Sequence, residues 1–165
     1  MKGSIYSSKL ELRVSSIHGY GTFAKENISK GELLFVKNGQ IISHHEKYSR
    51  SVIDCYWPID DEYVLGTRSE DAYDKVKLFI NHSCNPNCGL QGINTGIAIR
   101  DIAAGEEITF DYAMLDNETY SFNCSCGSPN CRKIVTGFDW KKPEIQAVYA
   151  GYFVDYLQDK IDKQK

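Results

Sequence analysis

The sequence lacks any run of about eighteen apolar residues, so no segment reads as a bilayer-spanning helix. Its first residues, Met1-Lys2-Gly3-Ser4-Ile5, lack the apolar core of a secretory signal, and the expectation is a soluble, intracellular chain. A basic excess is missing too: 19 Lys and Arg stand against 22 Asp and Glu, for a net charge of -3. Phosphate contacts demand clustered cations, so this balance argues against nucleic-acid binding. Repeats, low-complexity tracts and linkers are absent, which leaves one compact body as the economical reading. A chain of this size buries roughly 70% of its unfolded surface, enough for a real core.

Cysteine, by contrast, is plentiful at six residues. Without an export signal a disulfide framework is a poor explanation, because reducing compartments keep thiols free. Cys124, Cys126 and Cys131 crowd into Cys124-Ser125-Cys126-Gly127-Ser128-Pro129-Asn130-Cys131, a loop whose Gly, Pro and Asn let the chain fold back. Three thiols leave a structural zinc one ligand short of its tetrahedron. Cys84, within Asn81-His82-Ser83-Cys84-Asn85-Pro86-Asn87-Cys88, is the best fourth donor, with Cys88 and His82 as competitors. Cys55 and Cys88 are otherwise assigned to packing.

Alternating and β-branched runs predict strands at Leu10 to Val14, Leu33 to Val36, Tyr63 to Leu65, Ile97 to Arg100 and Glu107 to Phe110. Ile93-Asn94-Thr95-Gly96-Ile97 has the residues of a hairpin turn, with Asn and Gly supplying positive φ. The tail changes period. Pro143 suits a first helical turn, and Ile145, Val148, Tyr149, Tyr152, Phe153, Tyr156 and Leu157 draw one apolar stripe. Gly151 is expected to divide it into two short helices, read as packing surface.

Four motifs in order resemble the SET-domain methyltransferase family: Gly19-Tyr20-Gly21-Thr22-Phe23-Ala24 with Ile28 to Leu33, Phe79 to Cys88, Ala98 to Tyr112, and the cysteine cluster, which resembles the family's post-SET zinc segment. The resemblance covers roughly residues 10 to 137. It implies a mainly β (α+β) fold, the SET β-clip of short sheets with a threaded pseudoknot, here followed by C-terminal helices. The implied division is a SET core at 1–120, a post-SET zinc segment at 121–137 and a helical extension at 138–165.

By the same resemblance the reaction is methyl transfer from S-adenosylmethionine to a protein lysine, with Tyr112 at the reaction centre and Tyr56 as a second aromatic of the lysine channel. Gly19, Tyr20, Gly21, Asn81, His82 and Tyr112 would bind the cofactor, and Phe138 or Trp140 would stack on its adenine. Cys84, Cys124, Cys126 and Cys131 would hold structural zinc. Phe110 would leave room for di- or trimethylation, where a tyrosine hydroxyl would retain a water. Two features depart from the family: Leu78 stands where many members carry arginine, and only about ten residues precede Leu10, so the C-terminal helices are candidates to replace a pre-SET support.

A catalytically idle SET scaffold and a small nucleic-acid-binding zinc domain are the competing classes. Intact Tyr112 and Asn81-His82 speak against the first, and the acidic balance against the second. The expected partner is a protein substrate carrying a lysine, a histone tail or another protein, with no nucleic acid and no membrane. The compact architecture also resembles stand-alone SET proteins of bacterial type, so nucleus and cytoplasm, and monomer and homodimer, stay open.

Overall fold

The computed structural model describes residues 3–48, 56–68 and 77–164; Cys55 lies outside them. Within these residues short strands, numbered in chain order, build four small sheets. The first sets β1 (Ile5–Tyr6), β4 (Leu33–Val36), β10 (Thr95–Ala98) and β9 (Cys88–Gln91) side by side, all antiparallel. The second runs β2 (Leu10–Val14), β3 (Tyr20–Ala24), β11 (Glu107–Phe110) and β8 (Asn81–His82). Its last pair is parallel, with Thr109 opposite Asn81 and Phe110 opposite His82. A third joins β5 (Gln40–Ser43), β7 (Tyr63–Gly66) and β6 (Trp57–Pro58), and β12 (Ser121–Asn123) pairs with β13 (Ile134–Thr136) as a hairpin. Helices are short: α1 (His44–Tyr48), α2 (Pro143–Val148) and α3 (Asp155–Asp162).

The strands expected at Leu10 to Val14, Leu33 to Val36 and Glu107 to Phe110 form with those bounds, and that at Tyr63 gains one residue. The strand expected at Ile97 to Arg100 sits two residues earlier. Ile99 leaves the ladder because its N–H turns to the Asn87 carbonyl at 3.0 Å. The β9–β10 turn takes its positive φ of 60° from Gly92 and not from Asn94 or Gly96. Gly96 instead lies in β10 over Phe35, where a Cβ would approach the ring to 2.3 Å. The need for glycine there is steric, not conformational.

In the tail, Pro143 opens α2 and Gly151, with φ of 83°, separates α2 from α3. Ile145, Tyr149, Phe153, Val154, Leu157 and Ile161 enter the same core as Phe35, Trp57, Ile108 and Met114. Val148, a member of the predicted stripe, is left exposed. The tail is therefore an integral wall of the core. Its polar groups also reach the segments that follow β8 and β11: the Val154 N–H donates to Met114 O at 3.0 Å, Tyr149 Oη to Cys84 O at 3.3 Å, and Trp140 Nε1 to Asn117 Oδ1 at 2.9 Å.

Candidate active site

Tyr112 follows directly on β11, in a single 3-10 turn over Tyr112–Met114. The Asp111 carboxylate caps that turn by accepting from the Ala113 N–H at 3.0 Å. The Tyr112 N–H donates to His82 Nδ1 at 3.2 Å, and its hydroxyl to Ile80 O at 3.4 Å. Both acceptors lie on or beside β8, so the parallel β8–β11 pair is what brings Asn81-His82 to the tyrosine. Burial, reinforced by the nearby Asp116 and Glu107 carboxylates, pushes the Tyr112 phenol well above its ordinary value and keeps it protonated.

Two cavities meet at this ring. One, of about 390 Å³, is walled by Tyr56, Trp57, Leu78, Ile80, Phe110 and Tyr112, with Asp116 and Glu118 also facing it. The other, of about 350 Å³, is lined by Ile17, His18, Asn81, His82, Tyr112, Phe122 and residues 123–125. Tyr112 and Phe122 line both. Phe110 packs at 5.2 Å from the Tyr112 ring, and His82 stands edge-on to Tyr112 at 5.2 Å and to Phe122 at 5.7 Å.

The structure thus gathers Tyr56, Phe110, Asn81, His82 and Tyr112 around these two cavities, with the glycine motif beside them. His18 and Ile17 line the second cavity, while Gly19, Tyr20 and Gly21 do not. Gly21 is required by Glu107, whose Oε1 would lie 2.1 Å from an added Cβ. That carboxylate accepts from Asn81 Nδ2 at 2.7 Å and from the Ser15 hydroxyl at 2.8 Å. Tyr20 is exposed and edge-on to Phe79 at 6.3 Å. Trp140 is a core residue, and Phe138 lies outside both cavities with Lys141 Nζ 4.6 Å from its ring centroid. Leu78 faces the first cavity, not the second. Sequence reasoning missed Phe122 and Trp57; the only local signal for Phe122 is an aromatic two residues before Cys124, inside a short strand.

The cysteine cluster borders the second cavity. The sulfurs of Cys84, Cys124, Cys126 and Cys131 lie within 4.8 Å of one another, and Cys84 Sγ is 3.9 Å from Cys124 Sγ. A tetrahedral zinc site with Zn–S bonds of about 2.3 Å has an S···S edge of about 3.8 Å, so the spacing fits. Backbone N–H groups of Arg132 and Lys133 donate to Cys84 and Cys131 sulfurs, each at 3.4 Å, as thiolates require. The two competing ligands fall away. Cys88 is fully buried with its thiol on Gly89 O. His82 uses Nδ1 as acceptor for Tyr112, which leaves Nε2 to donate toward Cys84 Sγ at 3.3 Å. Burial holds His82 neutral, its pKa lowered to about 4.

An ionic latch joins the cluster to the Tyr112 turn. Arg132, next to Cys131, grips the fully buried Asp111 with Nη1 at 2.5 Å and Nη2 at 2.8 Å, a bidentate pairing. Its Nε reaches the equally buried Asp139 at 2.9 Å, which also accepts from Lys142 Nζ at 2.9 Å and the Thr136 hydroxyl at 2.8 Å. On the other side the Ser125 hydroxyl donates to Ile17 O at 3.3 Å. The cysteine loop is thereby fastened at both ends across the second cavity.

Small sheets closed by a cysteine-clustered segment thus frame two cavities that share the Tyr112 ring. The chain belongs to the SET domain family, whose model matches residues 19–113. Among similar proteins, human "Histone-lysine N-methyltransferase 2B" is 34% identical over 136 residues, covering 73% of this chain and 5% of that protein. A Plasmodium falciparum "Putative histone-lysine N-methyltransferase 1" is 37% identical over 142 residues, or 76% of this chain and 2% of that protein. A Candida albicans "Histone-lysine N-methyltransferase, H3 lysine-36 specific" is 32% identical over 142 residues, or 79% and 17%. The chain therefore spans a small fraction of the length of these relatives.

Proposed function

We propose that this chain is a protein-lysine N-methyltransferase that takes its methyl group from S-adenosylmethionine, with a lysine-bearing protein segment, a histone tail among the candidates, as acceptor. The observation that carries the reading is that Tyr112 lines both cavities. The 350 Å³ cavity beside Asn81, His82 and the cysteine loop is assigned to the cofactor and the aromatic 390 Å³ cavity to the lysine. S-adenosylmethionine, when bound, supplies a methyl group activated by a sulfonium charge.

What the chain's own residues supply is placement and desolvation. Fixing two reactants in line is worth roughly 7 to 11 kcal/mol of a barrier. The walls formed by Tyr56, Trp57, Phe110 and Tyr112 exclude water and disfavour the ammonium form of an entering amine, whose free pKa is about 10.4. The Tyr112 hydroxyl, protonated and anchored toward Ile80 O, presents its oxygen lone pairs where the cavities meet and directs the amine. Neutral His82 fixes the Tyr112 backbone. The four cysteines fit structural zinc, which would stiffen the loop 124–131 over the cofactor cavity. Residues 1–120 then serve as catalytic core, 121–137 as the metal-held roof and 138–165 as the wall that supports both.

A lysine-oriented peptide array with S-adenosylmethionine, run with wild type and Tyr112→Phe in parallel, tests the assignment. Wild type is expected to methylate at least one peptide. Tyr112→Phe, which keeps the ring and its packing, is expected to lose at least a hundredfold in kcat. Full activity in the variant would remove Tyr112 from the reaction.

A further inference from the structure

The outer edge of the second sheet is complementary to itself. Among the described residues β2 pairs with β3 alone. The phase of that ladder follows from the bonds that continue it at either end: the Lys25 N–H donates to Lys9 O at 2.8 Å, and the Ser15 N–H to Gly19 O at 2.9 Å. Antiparallel bonding alternates along a strand, so Glu11 and Arg13 bond to β3 while the backbone groups of Leu10, Leu12 and Val14 point away from it. The Leu10 N–H is taken by Ser7 O at 3.1 Å; those of Leu12 and Val14 have no protein acceptor among the described residues. The side chains follow the same alternation. Leu12 is 51% exposed and Val14 75%, on the sheet face that also carries Leu10 and Thr22. At the Leu10 end of this face a cavity of about 260 Å³ opens among Tyr6, Leu10, Leu12, Thr22 and Phe79. The other face carries Glu11 and Arg13, which meet each other as an ion pair.

We propose that β2 is a homodimer interface, in which two copies of this chain pair their β2 strands antiparallel about a two-fold axis through Leu12. In that register Leu12 faces its own counterpart, Val14 faces Leu10 of the second copy, and Glu11 faces Arg13 of the second copy. The two Leu12 residues exchange both of their backbone bonds, and each Val14 N–H meets the Leu10 carbonyl of the other copy. All of these groups point outward in a single chain. Each exposed Val14 comes to lie at the other copy's Leu10, beside the 260 Å³ cavity that Leu10 lines.

Charge selects the register. Edge strands are commonly guarded against pairing by charged side chains, but here the two charges have opposite sign and flank the axis, so they alternate across the interface and attract. An axis through Glu11 or Arg13 would set like charges against each other. Residues 10–14 line neither of the two cavities at Tyr112, so the pairing leaves both open.

Sedimentation equilibrium of the full chain is expected to show a reversible dimer of 18.7 kDa protomers. For so short an interface the Kd is expected on the order of 10 to 100 µM. Glu11→Lys and Arg13→Glu each turn both facing pairs repulsive, and either variant alone is expected to raise Kd about tenfold. Mixed in equal amounts, the two variants are expected to associate at least as tightly as wild type, because positions 11 and 13 are then both cationic in one copy and both acidic in the other. That recovery separates a lost interface from a lost fold. Leu12→Lys, which sets two ammonium groups on the axis, is expected to leave a monomer. Hydrogen exchange at the Leu12 and Val14 amides is expected to slow as concentration rises in wild type, and not in Leu12→Lys. A wild type that stays monomeric to about 1 mM overturns the inference. So does a dimer that all three variants leave intact, or a mixture that fails to recover. Protection of the same amides only when a methyl-acceptor peptide is added would give the edge to the substrate, and would likewise overturn it.

Discussion

Removing the Arg132 guanidinium should cost this fold more than any comparable change at its surface. In Arg132→Met, Asp139 keeps Lys142 and Thr136, but Asp111, fully buried, loses both guanidinium bonds and is left with neutral donors, the Ala113 N–H and the nearby Tyr149 hydroxyl. Stripping one partner from a buried pair costs about 3–5 kcal/mol, chiefly because the remaining charge is stranded. Against a total stability of about 5–15 kcal/mol this is a large share, and for a chain of this length it lowers the melting temperature on the order of 10 °C. The penalty belongs to the stranded carboxylate, so Arg132→Met combined with Asp111→Asn should recover much of it. Thermal melts of the wild type, both single variants and the double variant, each with its zinc content measured, form a complete cycle. If Arg132→Met melts within 2 °C of wild type, or the double variant is no better than the single, the latch is not what holds the Tyr112 turn.

Two further outcomes follow from the same geometry. Chelating the metal should weaken S-adenosylmethionine binding at least tenfold by calorimetry, because loop 124–131 borders the cofactor cavity, while the near-ultraviolet signal of the Trp57 core stays largely in place; unchanged affinity would uncouple metal from cofactor. Phe110→Tyr places a hydroxyl beside Tyr112, whose ring is 5.2 Å away, and should shift mass-resolved products toward monomethylation. An unaltered product distribution would take Phe110 out of the control of methylation degree.

Legibility in the sequence followed the range of the interaction. Strands β2, β4 and β11 were readable because an alternating or β-branched run is a local property, and the cysteine loop because metal geometry constrains spacing. The α2–α3 break was readable from Gly151 for the same reason. What escaped depends on closure between distant segments. Phe122 comes to line both cavities only once the β12–β13 hairpin lies against His82, which is 40 positions away by the numbering. Of the two rings expected beside an adenine, Trp140 satisfies its indole on Asn117 and sinks into the core, a tertiary fact with no local mark, while Phe138 stays exposed.

Gly21 shows how a correctly noticed residue can carry a different cause. The motif drew attention to it as a point of close ligand approach, yet the atom that would collide with its Cβ belongs to Glu107. Glu107 receives the Asn81 amide, and Asn81 Nδ2 also reaches His18 O at 3.1 Å and Tyr20 O at 3.3 Å. One absent side chain thus lets a carboxylate and an amide tie β3, β8 and β11 together beneath the second cavity. The glycine acts on the second cavity through that tie, which fixes where residues 17, 18 and 81 face it. Gly21→Ala should therefore disturb the fold and cofactor affinity together, whereas a change at His18, on the cavity wall itself, should alter affinity with the melting temperature preserved.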